Sequence, residues 1–277
     1  GKGNKMKQFD FTKKEALLIQ AAMDTETEYL IAKLVGAEKI TIENWIFYTG
    51  FLGKYEEPVI ISRTYQGLIN ASAATALALS YFKPAAVINQ GIGGGHDRRF
   101  HRGDIVLGEK VVPMGAVIRS YAAEGDGISG TNFTPLPLEI FDRKQQCTRK
   151  VTEFPCDEKL LAIAKKVTAT DWMRDGQTAK AMSGVIGSAD EWNNELDRIA
   201  LLRERYHTAV EDMESAAAAQ LCYSYGIPFL GIRILSNSIV NGEEFDESVG
   251  VDGQKFIIDY VETYSQYLQQ ERFCDSM

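Results

Sequence analysis

Two periods of apolar and polar residues alternate along the chain. Near-continuous apolar or β-branched runs bounded by turn residues predict strands over 16–20, 40–48, 59–64, 85–89, 103–112, 181–187, 208–211 and 228–236. Helical spacing fills the gaps. An alanine- and leucine-rich stretch over 67–82 is expected to be a helix, stopped by Lys83-Pro84 because proline disfavours helix in the residue before it. Further helices are expected over 157–167, 195–206 and 214–225. In a last one, over 253–270, Phe256, Ile257, Tyr260, Val261, Tyr264 and Leu268 recur at helical intervals. Asp24-Thr25-Glu26-Thr27-Glu28 reads as an acidic helix start. Residues 119–156, rich in Gly, Ser, Thr and Pro near their start, read as a long loop or insertion. Strand–helix alternation with strands apolar on both faces predicts an α/β fold, its central sheet covered by helices.

Composition narrows the class. The chain has 277 residues, 45% hydrophobic and 25% charged, which excludes a disordered, collagen-like or disulfide-dense protein. A length of roughly 150 residues per domain suggests two domains, but there is no linker-like composition break and no internal repeat. Thirty Lys and Arg against 38 Asp and Glu leave a net charge of −8, which argues against nucleic acid or an anionic membrane surface as partner. No apolar run approaches the ~20 residues of a membrane span. Three histidines and four cysteines leave little for a metal site, and none is expected. Cys147, Cys156, Cys222 and Cys274 lack CxxC spacing and are expected as free thiols. A Cys147–Cys156 pair is the alternative outside the cytoplasm. The expected compartment is the cytoplasm. The chain begins Gly1-Lys2-Gly3, and a removed leader would leave an extracytoplasmic location open.

In α/β folds, ligands gather at the carboxyl ends of strands, so four junctions carry the candidate chemistry. At the first, Asp24 and Glu28 suit a helix dipole, whereas Glu26 is a candidate general base. The second is Asn89-Gln90-Gly91-Ile92-Gly93-Gly94-Gly95, where glycines after a strand let backbone approach a ligand. It is neither a P-loop nor a dinucleotide fingerprint, because no Gly-Lys-Ser/Thr follows and no helix opens there. His96, Asp97, Arg98, Arg99 and His101 beyond it read as a solvated basic turn or subunit contact. The third is Glu211-Asp212-Met213-Glu214. Capping a helix needs one acid, so three acids at a buried junction favour binding, with a carboxylate able to hold vicinal sugar hydroxyls. The fourth is Ser236-Asn237, where an amide offers both donor and acceptor to a purine.

Taken together, the chain resembles the purine nucleoside phosphorylase superfamily, and most of all its methylthioadenosine/S-adenosylhomocysteine nucleosidase branch. The matching pieces are Ala22-Met23 with Glu26, Gly67 to Ala71, Lys83-Pro84, Asn89 to Gly94, Gly103 to Val106, Ser188 to Trp192, Met213 to Ala216 and Arg233 to Asn237. They stand in family order over most of the chain. The resemblance implies a three-layer α/β/α sandwich with a twisted mixed sheet. It also implies a single domain over 1–277 with an N-terminal extension over 1–14, and a homodimer. The implied substrate is a small purine nucleoside, cleaved at its N-glycosidic bond by water, with no cofactor. By the same resemblance Glu26 activates the water, and Glu214 with Met213 holds the ribose. Trp192 stacks on the base beside Asn193. Ile92, Gly93 and Ser236 line the site, and Asn237 contacts the purine at N7.

Three departures bear on the substrate. Asn237 stands where this branch usually has Asp and, unlike Asp, cannot pass a proton. Some superfamily members with Asn there handle 6-oxopurines, so both adenine-type and 6-oxopurine nucleosides stay open. Ile92 replaces a hydroxyl residue, and Met114-Gly115 stand where a His-Asp pair is usual. The acidic first loop disfavours phosphate beside Glu26, with Arg63 the one cation that could weaken that argument. A phosphorylase and a non-catalytic nucleoside-binding or storage protein remain the alternatives.

Overall fold

The computed structural model describes residues 15–167, 173–174 and 177–277; the expected extension over 1–14 lies outside them. From the amino end come β1 (Leu17–Ala21), a 3-10 turn at Asp24–Glu26, α1 (Glu28–Lys33), β2 (Val35–Ile42), β3 (Trp45–Phe51), β4 (Val59–Arg63), α2 (Leu68–Phe82), β5 (Ala86–Gly95) and β6 (Ile105–Pro113). Short strands follow: β7 (Val117–Arg119), β8 (Phe133–Pro135), β9 (Leu138–Asp142), β10 (Cys147–Val151) and β11 (Phe154–Pro155). After α3 (Glu158–Lys166) come β12 (Met173–Arg174), β13 (Gln177–Thr178), β14 (Ala181–Ser188), α4 (Leu196–Tyr206), β15 (Thr208–Asp212), α5 (Ser215–Tyr225), β16 (Phe229–Asn237) and α6 (Val249–Asp275).

The expected mixed α/β sheet is present. Parallel pairs join β1 to β4 and β5, β16 to β5, and β14 to β6 and β15. Antiparallel pairs join β2 to β3, β3 to β4, β15 to β5 and β16 to β6. The strands β5, β16, β6, β14 and β15 therefore pair in a closed ring, while β1, β4, β3 and β2 extend from it as an open wing. All five residues of β1 and all nine of β16 are buried, which is why they read as unbroken apolar runs. Helix α6 packs on β5, β16, α1 and α3, and α5 packs on α2 and the ring strands.

Three expectations change. The single strand over 40–48 is a hairpin, β2 and β3, folded at Glu43, whose φ is 52°; β-rich sequence on both sides hid the turn. The glycines expected after the fifth strand are inside it. A Cβ on Gly93 would sit 2.7 Å from both the Glu211 carbonyl oxygen and Val210, so glycine is what lets β15 cross so near β5. Residues 119–156 are not one long loop. β9 pairs with β10, β8 with β7 and β11 with β6, and only 120–132 form a longer stretch with neither strand nor helix. Asp157 is the cap of α3, accepting the Leu160 N–H at 2.9 Å. All four cysteines are free, with Cys156 and Cys222 buried, so the alternative Cys147–Cys156 pair does not form. Among the described residues no helix is long and apolar enough to cross a membrane.

Candidate active site

The closed ring leaves a gap along β5. β1 pairs with Ala86–Asn89 and β15 with Gly94–Gly95, and neither reaches Gln90–Gly93. A backbone donor buried at such a gap needs another partner. Glu26 supplies it. The 3-10 turn after β1 turns its carboxylate so that Oε2 accepts the Ile92 N–H at 2.7 Å and Oε1 accepts the Met23 N–H at 3.0 Å. Gln90 Nε2 holds the Glu26 carbonyl oxygen at 2.8 Å. Gly91 makes room: a Cβ there would lie 2.1 Å from Oε2. Burial raises the Glu26 pKa above its usual value. The Ile92 N–H, the Arg233 guanidinium and the Met23 N–H oppose this rise, and Asp212 adds to it.

The three acids between β15 and α5 divide their tasks. Asp212 caps α5, with Oδ1 accepting the Glu214 and Ser215 N–H groups at 3.2 Å each, and Oδ2 lies 3.1 Å from the Arg233 guanidinium. Glu214 is thereby freed from capping and faces the cavity. Its pKa is pushed up to about 8, first by burial and then by Asp212; Arg233 opposes, and Glu26 raises it further. Glu211 also lines the cavity and is held from behind by Asn193. Its Oε1 accepts the Asn193 N–H at 3.1 Å, and its Oε2 accepts the Asn193 Nδ2–H at 2.6 Å. At the end of β16, Ser236 Oγ lies 3.2 Å from the Gly93 carbonyl oxygen and 3.0 Å from Asn237 Oδ1, so its one hydrogen is shared between these two acceptors.

Glu26, Ile92, Gly93, Trp192, Met213, Glu214, Ser236 and Asn237 all line one cavity. The space between its walls, open mouth included, is about 730 Å³. Trp192 is 57% exposed at the mouth, its ring 5.5 Å from that of Phe245. Asn193, expected to line the site, does not; it is buried behind Glu211. His96 and Asp97, expected in a solvated turn, are also buried. His96 Nδ1 lies 2.7 Å from Thr208 Oγ1, and Nε2 lies 3.6 Å from Glu211 Oε2. Arg98 and Arg99 alone of that segment face solvent as expected, and the Arg99 guanidinium folds back onto Asp97.

Gln66, Glu211, Phe245 and Glu247 also line the cavity and were not among the expected site residues. Glu211, and Asp212 which also lines the cavity, carried a signal in the sequence as surplus acids at a buried junction. No lysine, arginine or histidine lines the cavity among the described residues. Arg63, the one cation of concern, is held 2.7 Å from Asp24.

Known proteins share this framework. The family model described as "Phosphorylase superfamily" matches residues 16–264. A 5′-methylthioadenosine/S-adenosylhomocysteine nucleosidase of Bacillus cereus (strain G9842) is 28% identical over 253 residues, covering 89% of this chain and 98% of that protein. The structure of such a nucleosidase from Colwellia psychrerythraea 34H, in complex with adenine, matches with a TM-score of 0.70 and 25% identity over 91% of this chain and 96% of its own. The futalosine hydrolase of Helicobacter pylori strain 26695 matches with a TM-score of 0.68 and 21% identity over 90% of this chain and 97% of its own.

Proposed function

The chain belongs to the phosphorylase superfamily, and from that premise we propose that it hydrolyses the N-glycosidic bond of a purine nucleoside. The carrying observation is Glu26. It is a carboxylate with a raised pKa, fixed by two backbone N–H groups, on the wall of a cavity whose other side bears Glu214 and Met213. Such an acid is placed to take a proton from water as the oxygen bonds to C1′ of the ribose. The bond from C1′ to the purine nitrogen breaks in the same process, and its electron pair leaves with the base. Glu214 accepts hydrogen bonds from the ribose hydroxyls, Met213 packs on the sugar and Trp192 stacks on the base. Asn237 donates Nδ2–H to N7, which spreads the charge of the departing purine. The purine takes its final proton from solvent.

Water rather than phosphate is supported by charge. A phosphate dianion beside Glu26 and Glu214 would meet no cation on the cavity wall among the described residues, and Arg63 is already paired with Asp24. The same proposal includes a single domain, a cytoplasmic location and a homodimer.

The test is release of free base from a panel of adenine and 6-oxopurine nucleosides, with and without phosphate, read by chromatography. Base release without phosphate is expected. E26Q should lose about 10²–10⁴ in kcat with little change in KM, since it removes proton transfer and leaves the pocket. A broad panel left uncleaved, or an E26Q with full activity, overturns the reading.

A further inference from the structure

Asp190 ties together two walls of the cavity without lining it. One wall is the segment between β14 and α4, which carries Glu191 and Trp192. Both ends of that segment are fastened to β15. The Ala189 N–H donates to the Asp212 carbonyl at 3.1 Å. Asn193 donates to Glu211 through its backbone N–H at 3.1 Å and its side chain at 2.6 Å. Asp190 lies between these anchors and reaches to another element. Its Oδ1 accepts the Leu68 N–H at 2.9 Å, 122 residues away in sequence.

Leu68 opens α2, and Gly67 before it is the N-cap. The first N–H groups of a helix have no partner within it, and a Ser, Thr, Asp or Asn at the N-cap normally accepts from one of them. Gly67 has no side chain to do so. Its φ of 93° suits glycine, and a Cβ there would stand 3.0 Å from Asp190 Oδ1. The acceptor is therefore delivered to α2 from the Trp192 segment, into space that glycine leaves.

The other wall begins one residue before Gly67. Gln66 lines the cavity, and its Nε2 donates to Met23 Sδ at 3.7 Å. Met23 lines the cavity too, and its N–H is one of the two that fix Glu26. A single carboxylate thus fixes how far the wall at Trp192 stands from the wall at Gln66 and Met23. Any acceptor near Leu68 would satisfy the helix; one carried two residues before Trp192 also sets where that ring stands. We propose that Asp190 is a positioning residue for the reaction, acting through Trp192 on binding of the base. The proposal rests on the nucleoside reading above for what Trp192 stacks on.

The test compares D190A and D190N with a control, D157A. Asp157 Oδ1 accepts the Leu160 N–H at the start of α3, also at 2.9 Å, and Asp157 does not line the cavity. Asp190 is exposed, so its replacement buries nothing new. D190A and D157A should both lower the Tm. D190A alone should raise KM about 10-fold, with kcat within about threefold, because loosened stacking removes part of what an aromatic ring contributes to holding a base. D190N keeps an acceptor oxygen and should leave KM within about twofold of wild type. On a W192A background, D190A should change KM by less than about twofold, since the two act as one unit. Ligand-free protein labelled with 5-fluorotryptophan supplies a readout that needs no turnover. Its Trp192 fluorine resonance, assigned through W192F, should shift or broaden in D190A and stay in place in D190N and D157A. A D190A that loses stability as D157A does, yet keeps the wild-type KM and Trp192 resonance, overturns the proposal. So does an undiminished KM effect on the W192A background. Failure of the two readings is distinguishable. A displaced Trp192 resonance in D190A with no nucleoside cleaved by wild type sinks the hydrolase and leaves Asp190 as the residue that places Trp192. Base release without phosphate, with KM and resonance unmoved in D190A, does the reverse.

Discussion

At the residue scale, the carboxylates of the site are held in unfavourable places by specific neighbours. Glu26 keeps its position because Gly91 lacks a Cβ and because Met23 and Ile92 present N–H groups to it. Glu214 has the Met213 N–H opposing the shift only weakly, and burial drives its pKa from 4.5 to about 8. Between those values the folded protein binds a proton there that the unfolded chain does not. Stability of the ligand-free protein should therefore fall as pH rises from about 5 to about 8, by at most ~1.4 kcal/mol per pH unit for one such group. The raised pKa of Glu26 contributes a slope of the same sign. E214Q removes the Glu214 share. Urea unfolding at several pH values should give a flatter profile for E214Q, and a protein more stable than wild type near pH 8. An unchanged slope would mean that Glu214 is not the buried acid responsible. Glu26 and Glu214 were legible in the sequence because acids just after an apolar strand and a surplus of acids at a helix start are both local signals. His96 and Asn193 were not. Their roles depend on Glu211, which is 115 and 18 residues away from them in sequence (211 − 96 and 211 − 193).

At the scale of elements, the turn that carries Glu26 is fastened by the last helix. Gln254 on α6 is fully buried. Its Nε2 donates to the Thr25 carbonyl at 2.9 Å, and its Oε1 accepts the Leu30 N–H at 3.2 Å. It thus bridges both ends of the segment that carries Glu26. Gly253 brings α6 close to β16, where a Cβ would stand 2.9 Å from Ile234. Replacing Gln254 by Leu leaves a buried carbonyl and a buried N–H without this partner, which should cost about 1–3 kcal/mol of stability. Because the loosened turn holds Glu26, the proposed general base, kcat should fall more than KM rises. Thermal unfolding together with steady-state kinetics reads both, and a variant that is less stable but kinetically normal would separate α6 from the site. The helical period over 253–270 anticipated α6, although the helix begins earlier, at Val249. The period could not say that Gln254, a polar residue on the buried face, reaches back to Thr25. Boundaries of the other helices were legible where capping chemistry was local, as at Asp157 and at Lys83, which ends α2 with φ 48°.

At the scale of the whole molecule, a buried polar chain crosses the sheet. Thr75 on α2 accepts from Gln20 on β1 at 2.8 Å; Gln20 accepts from Asn89 on β5 at 3.1 Å. Asn89 accepts from Arg233 on β16 at 2.6 Å, and Arg233 pairs with Asp212. Arg233 is 2% exposed and lowers the pKa of both Glu26 and Glu214. R233M would leave Asp212 as a buried charge without its partner, a loss of about 3–5 kcal/mol by chemical denaturation. It should also move the acid limb of the kcat/KM profile to higher pH, since Glu26 would lose the cation that favours its ionised form. A destabilised variant with an unmoved acid limb would show that Arg233 acts on folding alone. Periodicity and composition by themselves determined the α/β class, most element positions and the four junctions where chemistry collects, because apolar spacing, turn residues and stray acids are read locally along the chain. Only the tertiary structure decided that the glycine run is strand, that the sheet closes into a ring, and that the gap this leaves on β5 is filled by Glu26. It also decided that Asn193 and His96 stand behind Glu211 and away from the ligand. Those outcomes depend on which strands pair and how closely backbones approach, and pairing between residues far apart in sequence leaves no periodic trace in the chain itself.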